Sequence, residues 1–259
     1  IFEQAGFEVG SYPYYDKTSG EINFPAMIES LKGLKENTVV ILHACCHNPT
    51  GLDLTQEQWA QVVDVCSAHK LIPFLDIAYQ GFGDGLEEDA GAIRQFASSG
   101  ITFLVANSFS KSFSLYGERI GALTVVCHNT EEASRVMSAL KAVIRANYSN
   151  PPAHGAKIVG QVLNDPELLA QWHADLKEMR ERIKEMRRDL ADELKTLGAK
   201  KDFEFVTRQK GMFSFSGLSP EQVQRLKDEF GVYAVKSGRI CVASLNKGNV
   251  KYTAEAIKE

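Results

Sequence analysis

Leu71-Ile72-Pro73-Phe74-Leu75-Asp76 is the stretch on which the fold turns. It is apolar on both faces until Asp76. A strand with one wet face would alternate, so this one must be covered from above and below, as in a parallel sheet. Its surroundings repeat the pattern. Upstream, Thr55 and Gln58 form a capping box that predicts a helix through about His69. Before that helix lies another apolar run, Val39–Ala44 (VVILHA), broken by Asn48-Pro49-Thr50-Gly51. Downstream come a helix from about Glu88 to Ser98, the run Ile101–Asn107 (ITFLVAN), a polar loop and the run Ile120–Cys127. Buried strands separated by amphipathic helices predict a doubly wound α/β domain with a mostly parallel sheet flanked by helices.

The texture changes after Pro151-Pro152. Asp165 can cap a helix with Pro166 in its first turn. Leu169, Trp172, Leu176, Met179, Ile183, Met186, Leu190, Leu194 and Leu197 then recur at three- and four-residue steps up to Gly198. That seam is long enough for a coiled coil. The chain continues at once into short segments, however, which favours a long helix joining two domains. Those segments are Phe203–Thr207, Met212–Ser216, a helix over Pro220–Phe230, Val232–Val235, Ile240–Ala243 and a final helix. The expected organisation is a large α/β domain over 1–165, then a linking helix and a small α+β domain over 166–259.

Composition narrows the function. Hydrophobic residues make up 44% and charged residues 24% of 259, an ordinary globular balance. A net charge of −4 gives no basic field for nucleic acid. No apolar run approaches the ~20 residues of a membrane helix. The first residues, IFEQAGFEVGSYPYYD, do not read as a signal peptide. Five cysteines, an odd number mostly in apolar runs, suit free thiols in a reducing compartment such as the cytoplasm. His43-Ala44-Cys45-Cys46-His47 brings metal ligands to mind. Adjacent cysteines do not easily converge on one ion and no second ligand pair follows, so no metal is expected.

In open α/β sheets, ligands bind beyond the carboxyl ends of the strands. The polar residues at those ends are Asn48 after the first run, Asp76 and Tyr79 after the second, and Ser108, Ser110 and Lys111 after the third; Arg119 opens the next segment. One amide, a carboxylate, a phenol, two hydroxyls, a lysine and an arginine thus share one rim. Two decoys fall away. Ser108-Phe109-Ser110-Lys111 fits S-x-x-K, but the SDN and KTG companions are absent. Gly81-Phe82-Gly83-Asp84-Gly85-Leu86 lacks the last glycine of a dinucleotide fingerprint.

Three of these rim segments carry a family resemblance. They are Cys46-His47-Asn48-Pro49-Thr50-Gly51, Asp76-Ile77-Ala78-Tyr79-Gln80-Gly81-Phe82 and the stretch from Ser108 through Lys111 to Arg119. Together with Arg145–Pro152, Gly211–Leu218 and Ser237-Gly238-Arg239, they resemble the signature segments of class I pyridoxal-phosphate aminotransferases of the bacterial aspartate and aromatic type. The likeness runs over essentially the whole chain. It implies the fold type I architecture of that family and pyridoxal 5'-phosphate as cofactor. Lys111 is then expected to hold the cofactor as an aldimine and later to move the substrate α-proton. Asp76 faces the pyridine nitrogen, Tyr79 and Asn48 the phenolic oxygen. Arg119, Ser108 and Ser110 take the phosphate. Arg239, with Asn48, takes the substrate carboxylate.

The activity implied is ping-pong transfer of an amino group between aspartate, glutamate or aromatic amino acids and a 2-oxo acid, in a cytoplasmic homodimer. Ser112–Glu118 resembles the aromatic branch and Asn147–Gly155 the aspartate branch. A lyase or decarboxylase on the same fold, or a non-catalytic module, are the alternatives. The resemblance also implies that the family's N-terminal third is not in this sequence. With part of the cofactor shell lacking, the chain alone is expected to bind cofactor weakly and turn over poorly.

Overall fold

The apolar runs become strands and their capping signals become helix starts. The computed structural model describes residues 1–259. A short antiparallel pair, β1 (Tyr15–Asp16) and β2 (Glu21–Ile22), leads into α1 (Phe24–Lys32). Then β3 (Val39–His43), α2 (Gln56–Ala68) and β4 (Ile72–Ile77) form the first crossover unit. The capping box at Thr55 and Gln58 is present, with each side chain on the other residue's amide. A single turn, α3 (Leu86–Asp89), precedes α4 (Gly91–Ser99), so the one helix expected here is split at Ala90. The sheet is completed by β5 (Phe103–Ser108) and β6 (Gly121–Val126), in the order β3-β4-β5-β6.

β3, β4 and β5 are parallel, as the buried runs predict. β6 is the exception within a mostly parallel sheet, because it runs antiparallel to β5 and most of it is exposed. An apolar run carries no direction, and the connection from Phe109 to Ile120 contains no crossover helix to turn the chain round. The sheet is therefore mixed and mostly parallel.

After β6 come α5 (Thr130–Asn147), α6 (His154–Asn164) and the long α7 (Pro166–Thr196). The Asp165 carboxylate accepts from the amides of Glu167 and Leu168, as a cap should. Leu176, Ile183, Met186, Leu190 and Leu194 form the buried stripe of α7, while Trp172, Met179 and Leu197 pack at its edges. α7 crosses behind the loop after β4, where Arg180 donates to the Gly81 carbonyl at 3.2 Å. Gly81 has φ 92, and a Cβ there would lie 2.4 Å from Leu176, so the crossing requires glycine.

The last part is a two-stranded sheet of β7 (Phe213–Phe215) and β8 (Arg239–Cys241), with α8 (Pro220–Phe230) between them and α9 (Val250–Lys258) at the end. Phe203–Thr207 is mostly a 3-10 turn, and Val232–Val235 forms no strand. Short apolar segments do not distinguish these conformations. One hydrophobic cluster runs from Met27 through α7 to Ile257. No helix is long and apolar enough to cross a membrane.

Candidate active site

Because β3, β4 and β5 are parallel and in register, their carboxyl ends meet at one rim. His43 pairs with Asp76, and Asp76 with Ala106. The loops leaving that rim deliver Asn48, Tyr79 and Lys111. Two backbone amides, of Cys46 and His47, donate to the half-buried Asp53 carboxylate at 2.7 and 2.8 Å and hold the Asn48 loop against the sheet. The loop of Lys111 is tied to α7 instead. The Trp172 indole donates to the Ser112 carbonyl at 2.7 Å and stacks on Phe113 at 4.5 Å.

Asn48 is the hub. Its amide nitrogen donates to the Tyr79 hydroxyl at 3.3 Å, and its amide oxygen accepts from Arg239 at 2.8 Å. The Arg239 guanidinium lies 4.4 Å from the centre of the Phe213 ring, which meets Tyr79 edge-on at 6.2 Å. Lys111 places its amine over the other aromatic wall, 4.6 Å from the centre of the Tyr79 ring. A cation on an aromatic face is stabilised modestly, by about 0.5–1 kcal/mol where water still reaches it.

Burial first, and neighbouring charges second, move the two titratable groups in opposite directions. Burial pulls the Lys111 amine below an ordinary lysine; Asp76 raises it and Arg119 lowers it further. Burial raises the Tyr79 phenol, against the Asn48 hydrogen bond and the Arg239 charge. An amine whose pKa is lowered loses its proton, and becomes a nucleophile, at milder pH than a free lysine. Asp76→Asn removes the influence that holds the lysine up, so its pKa should fall further. Arg119→Gln should move it the other way. Reductive methylation by formaldehyde, followed at Lys111 by mass spectrometry across pH, reports the midpoint. A midpoint that is unchanged or raised in Asp76→Asn would contradict the placement of that carboxylate.

Asp76, Tyr79, Lys111, Asn48 and Arg239 are thus brought together, with Arg119 within electrostatic reach of the lysine. The serines are less engaged. The Ser108 hydroxyl accepts from the Ser110 amide at 3.3 Å, Ser110 is buried, and the exposed Arg119 donates to the Tyr116 carbonyl at 2.9 Å. No contact in this structure joins Arg119 to either serine.

Three residues take parts in the site that their place in the sequence does not announce. His43 accepts from the Asn48 backbone N–H on Nδ1 at 3.3 Å; burial lowers its pKa and Asp76 opposes the fall. In the sequence His43 reads only as a possible metal ligand, and the register that sets it opposite Asp76 belongs to the folded sheet. Phe213 and Trp172 gave no local signal of their parts here. The cysteine pair also behaves unexpectedly. With Cys46 at φ 51, both thiols and the Asp89 carboxylate lie within 4.8 Å of one another, all buried. Asp89 already accepts from the amides of Gly81, Gly83 and Asp84.

The family model for aminotransferase class I and II matches residues 1–257. The chain belongs to the class I and II aminotransferases. It is 58% identical, over 99% of its length, to an aspartate aminotransferase of Pseudomonas aeruginosa. It is 54% identical, again over 99%, to the aromatic-amino-acid aminotransferase of Escherichia coli. The chain spans 65% and 64% of the lengths of these two aminotransferases. Its fold matches the crystal structure of an aromatic-amino-acid aminotransferase from Burkholderia pseudomallei, covalently bound to pyridoxal phosphate. The TM-score is 0.98 at 56% identity, over 99% of this chain and 64% of that one.

Proposed function

We propose that this chain carries the catalytic centre of an aminotransferase that uses pyridoxal 5'-phosphate to move an amino group between aspartate, glutamate or an aromatic amino acid and a 2-oxo acid. The observation that carries the reading is the joining of the Lys111, Tyr79, Asn48 and Arg239 cluster at the strand rim, with Asp76 and Arg119 acting on the lysine's charge.

The donor set suits that cofactor. It offers one amine kept below the ordinary lysine range, a carboxylate beside it, a phenol and an amide already hydrogen-bonded to each other, and an arginine at the edge. When bound, the cofactor supplies an aldehyde for the lysine and a protonated ring that draws electrons from the bond being broken. Lys111 would hold it covalently and, once displaced by substrate, take the proton from the substrate α-carbon. Asp76 would accept a hydrogen bond from the ring nitrogen and keep its proton in place. Tyr79 and Asn48 would donate to the phenolic oxygen. Arg119, with Ser108 and Ser110, would take the phosphate, for which the planar guanidinium is suited. Arg239 would grip the substrate carboxylate, already oriented by Asn48 and Phe213. Donor and acceptor acids would use this one site in turn.

The same reading makes the assembly a homodimer in the cytoplasm. Free thiols at all five cysteines support a reducing compartment. Exposed apolar residues on β6 and α5, namely Leu123, Met137 and Val143, support a covering partner.

The test is a visible absorbance titration with pyridoxal phosphate, before and after aspartate, followed by product analysis with 2-oxoglutarate. A band that aspartate changes, with oxaloacetate and glutamate formed, is the expected outcome. Alanine and carbon dioxide would instead indicate decarboxylation, and no band at saturating cofactor would overturn the reading.

A further inference from the structure

A polar cavity lined by none of the rim residues lies beside the loop that follows β4. It has a volume of about 280 Å³ and opens between Phe82–Asp84, the second half of α7 and residues 207–211. Five of its lining residues are cations: Lys184, Arg187 and Arg188 on α7, then Arg208 and Lys210. Asp84 is the only carboxylate in the wall, shared between Lys184 at 3.6 Å and Lys210 at 2.5 Å. Glu21 pairs with Arg208 from outside at 2.9 Å. The half-buried Asp53 and the buried Asp89 also act on the charge of Lys210. Their amide hydrogen bonds already occupy them with the backbone. Arg188, exposed at the mouth, forms no ion pair.

Two further observations make this more than a charged surface. Arg187 and Gln209, both in the wall and both at least 97% buried, each carry a polar atom without a partner; Arg187 Nε is a donor that an anion would satisfy, whereas Gln209 Oε1 is an acceptor that calls for water or a protonated group. Buried polar atoms in native structures are nearly always paired, and exceptions ask for an explanation. The lining is also almost wholly polar, with only Phe82 and Ile183 apolar. Its volume falls just below the usual range for sites of drug-sized ligands.

We propose that this cavity binds a small phosphate-bearing anion. Arginine forks and lysine point charges converging from two elements are the donor set phosphate oxygens require. The apolar lining that a larger organic ligand would want is missing. Arg187 also donates to the carbonyls of Gly211 and Phe213. An anion held here would therefore rest against the strand whose Phe213 ring supports Arg239. The proposal does not depend on the reading of the rim as a transaminase site.

Calorimetric titration of the chain with inorganic pyrophosphate at low salt tests it. Saturable binding that outlasts loss of the rim arginines is expected. Lys184→Gln/Arg188→Gln should weaken it at least tenfold, because these partly or fully exposed residues can change without disturbing the core. Arg119→Gln/Arg239→Gln should leave the affinity within twofold, which separates this cavity from the rim. Lys32→Gln/Lys35→Gln, the same loss of charge on distant surface, should also leave it within twofold. Malonate, an anion without phosphate geometry, should bind at least tenfold more weakly. The proposal fails if binding does not saturate, survives in the cavity variant, is lost in the rim variant, falls equally in the distant control, or is matched by malonate.

Discussion

Lys111→Ala should abolish covalent capture of pyridoxal phosphate and leave the fold intact. The amine is half-buried over Tyr79, and its removal takes away a cation–π contact without opening a core cavity. Circular dichroism should therefore match the parent chain. Borohydride treatment in the presence of cofactor should label position 111 in the parent and nothing there in the variant. Lys111→Arg is the informative companion. It keeps a positive charge near Asp76 but offers no amine that can condense with an aldehyde at neutral pH. If both variants fail alike, the nucleophile matters and not the charge. Losing a positioned proton carrier costs on the order of 10²–10⁴-fold in rate, and losing the covalent attachment adds to that. Full retention of the visible band in Lys111→Ala, or adduct recovered mainly at another lysine, would remove Lys111 from the centre of the mechanism.

Arg187→Met should be the most damaging change outside the rim. Arg187 is 2% exposed in the middle of the buried stripe of α7. Its guanidinium donates to the carbonyls of Val206, Gly211 and Phe213 at 3.2, 2.7 and 2.8 Å, and to the Ser214 hydroxyl. Burial lowers its pKa to about 10, still well above neutral, so it remains charged. Methionine fills much of the volume but leaves these acceptors dry. Breaking a buried charged network from one side costs about 3–5 kcal/mol, a large share of the roughly 5–15 kcal/mol by which domains are stable. Urea unfolding should show a clearly lower midpoint, with Arg187→Lys between the two. A loss under about 1 kcal/mol would mean that water replaces the guanidinium there, at variance with its burial.

The same arginine marks where sequence reading ran out. The α7 seam was legible because Leu176, Ile183, Met186, Leu190 and Leu194 recur at helical spacing. Arg187 sits inside that stripe, yet its type reads as solvated surface until the Gly211–Ser214 backbone is brought against it. β6 is a similar case: its apolar run announced a strand, but neither its direction nor its exposure. At the rim, His43 became meaningful only once register set it opposite Asp76.

The sequence by itself determined which chemical groups follow which strand. Apolar runs, capping boxes and loop breakers act over a few residues, and parallel strands necessarily send their carboxyl ends to one side. Asn48, Asp76, Tyr79 and Lys111 were therefore bound to share a rim. What the tertiary structure alone decided is which of them touch, and in what charge state. Arg239 reaches Asn48 across 191 residues of chain, and the burial that lowers the Lys111 pKa comes from packing around it. Neither has a local signature, because each depends on how α7 lies against the sheet, and that is set by the whole core at once.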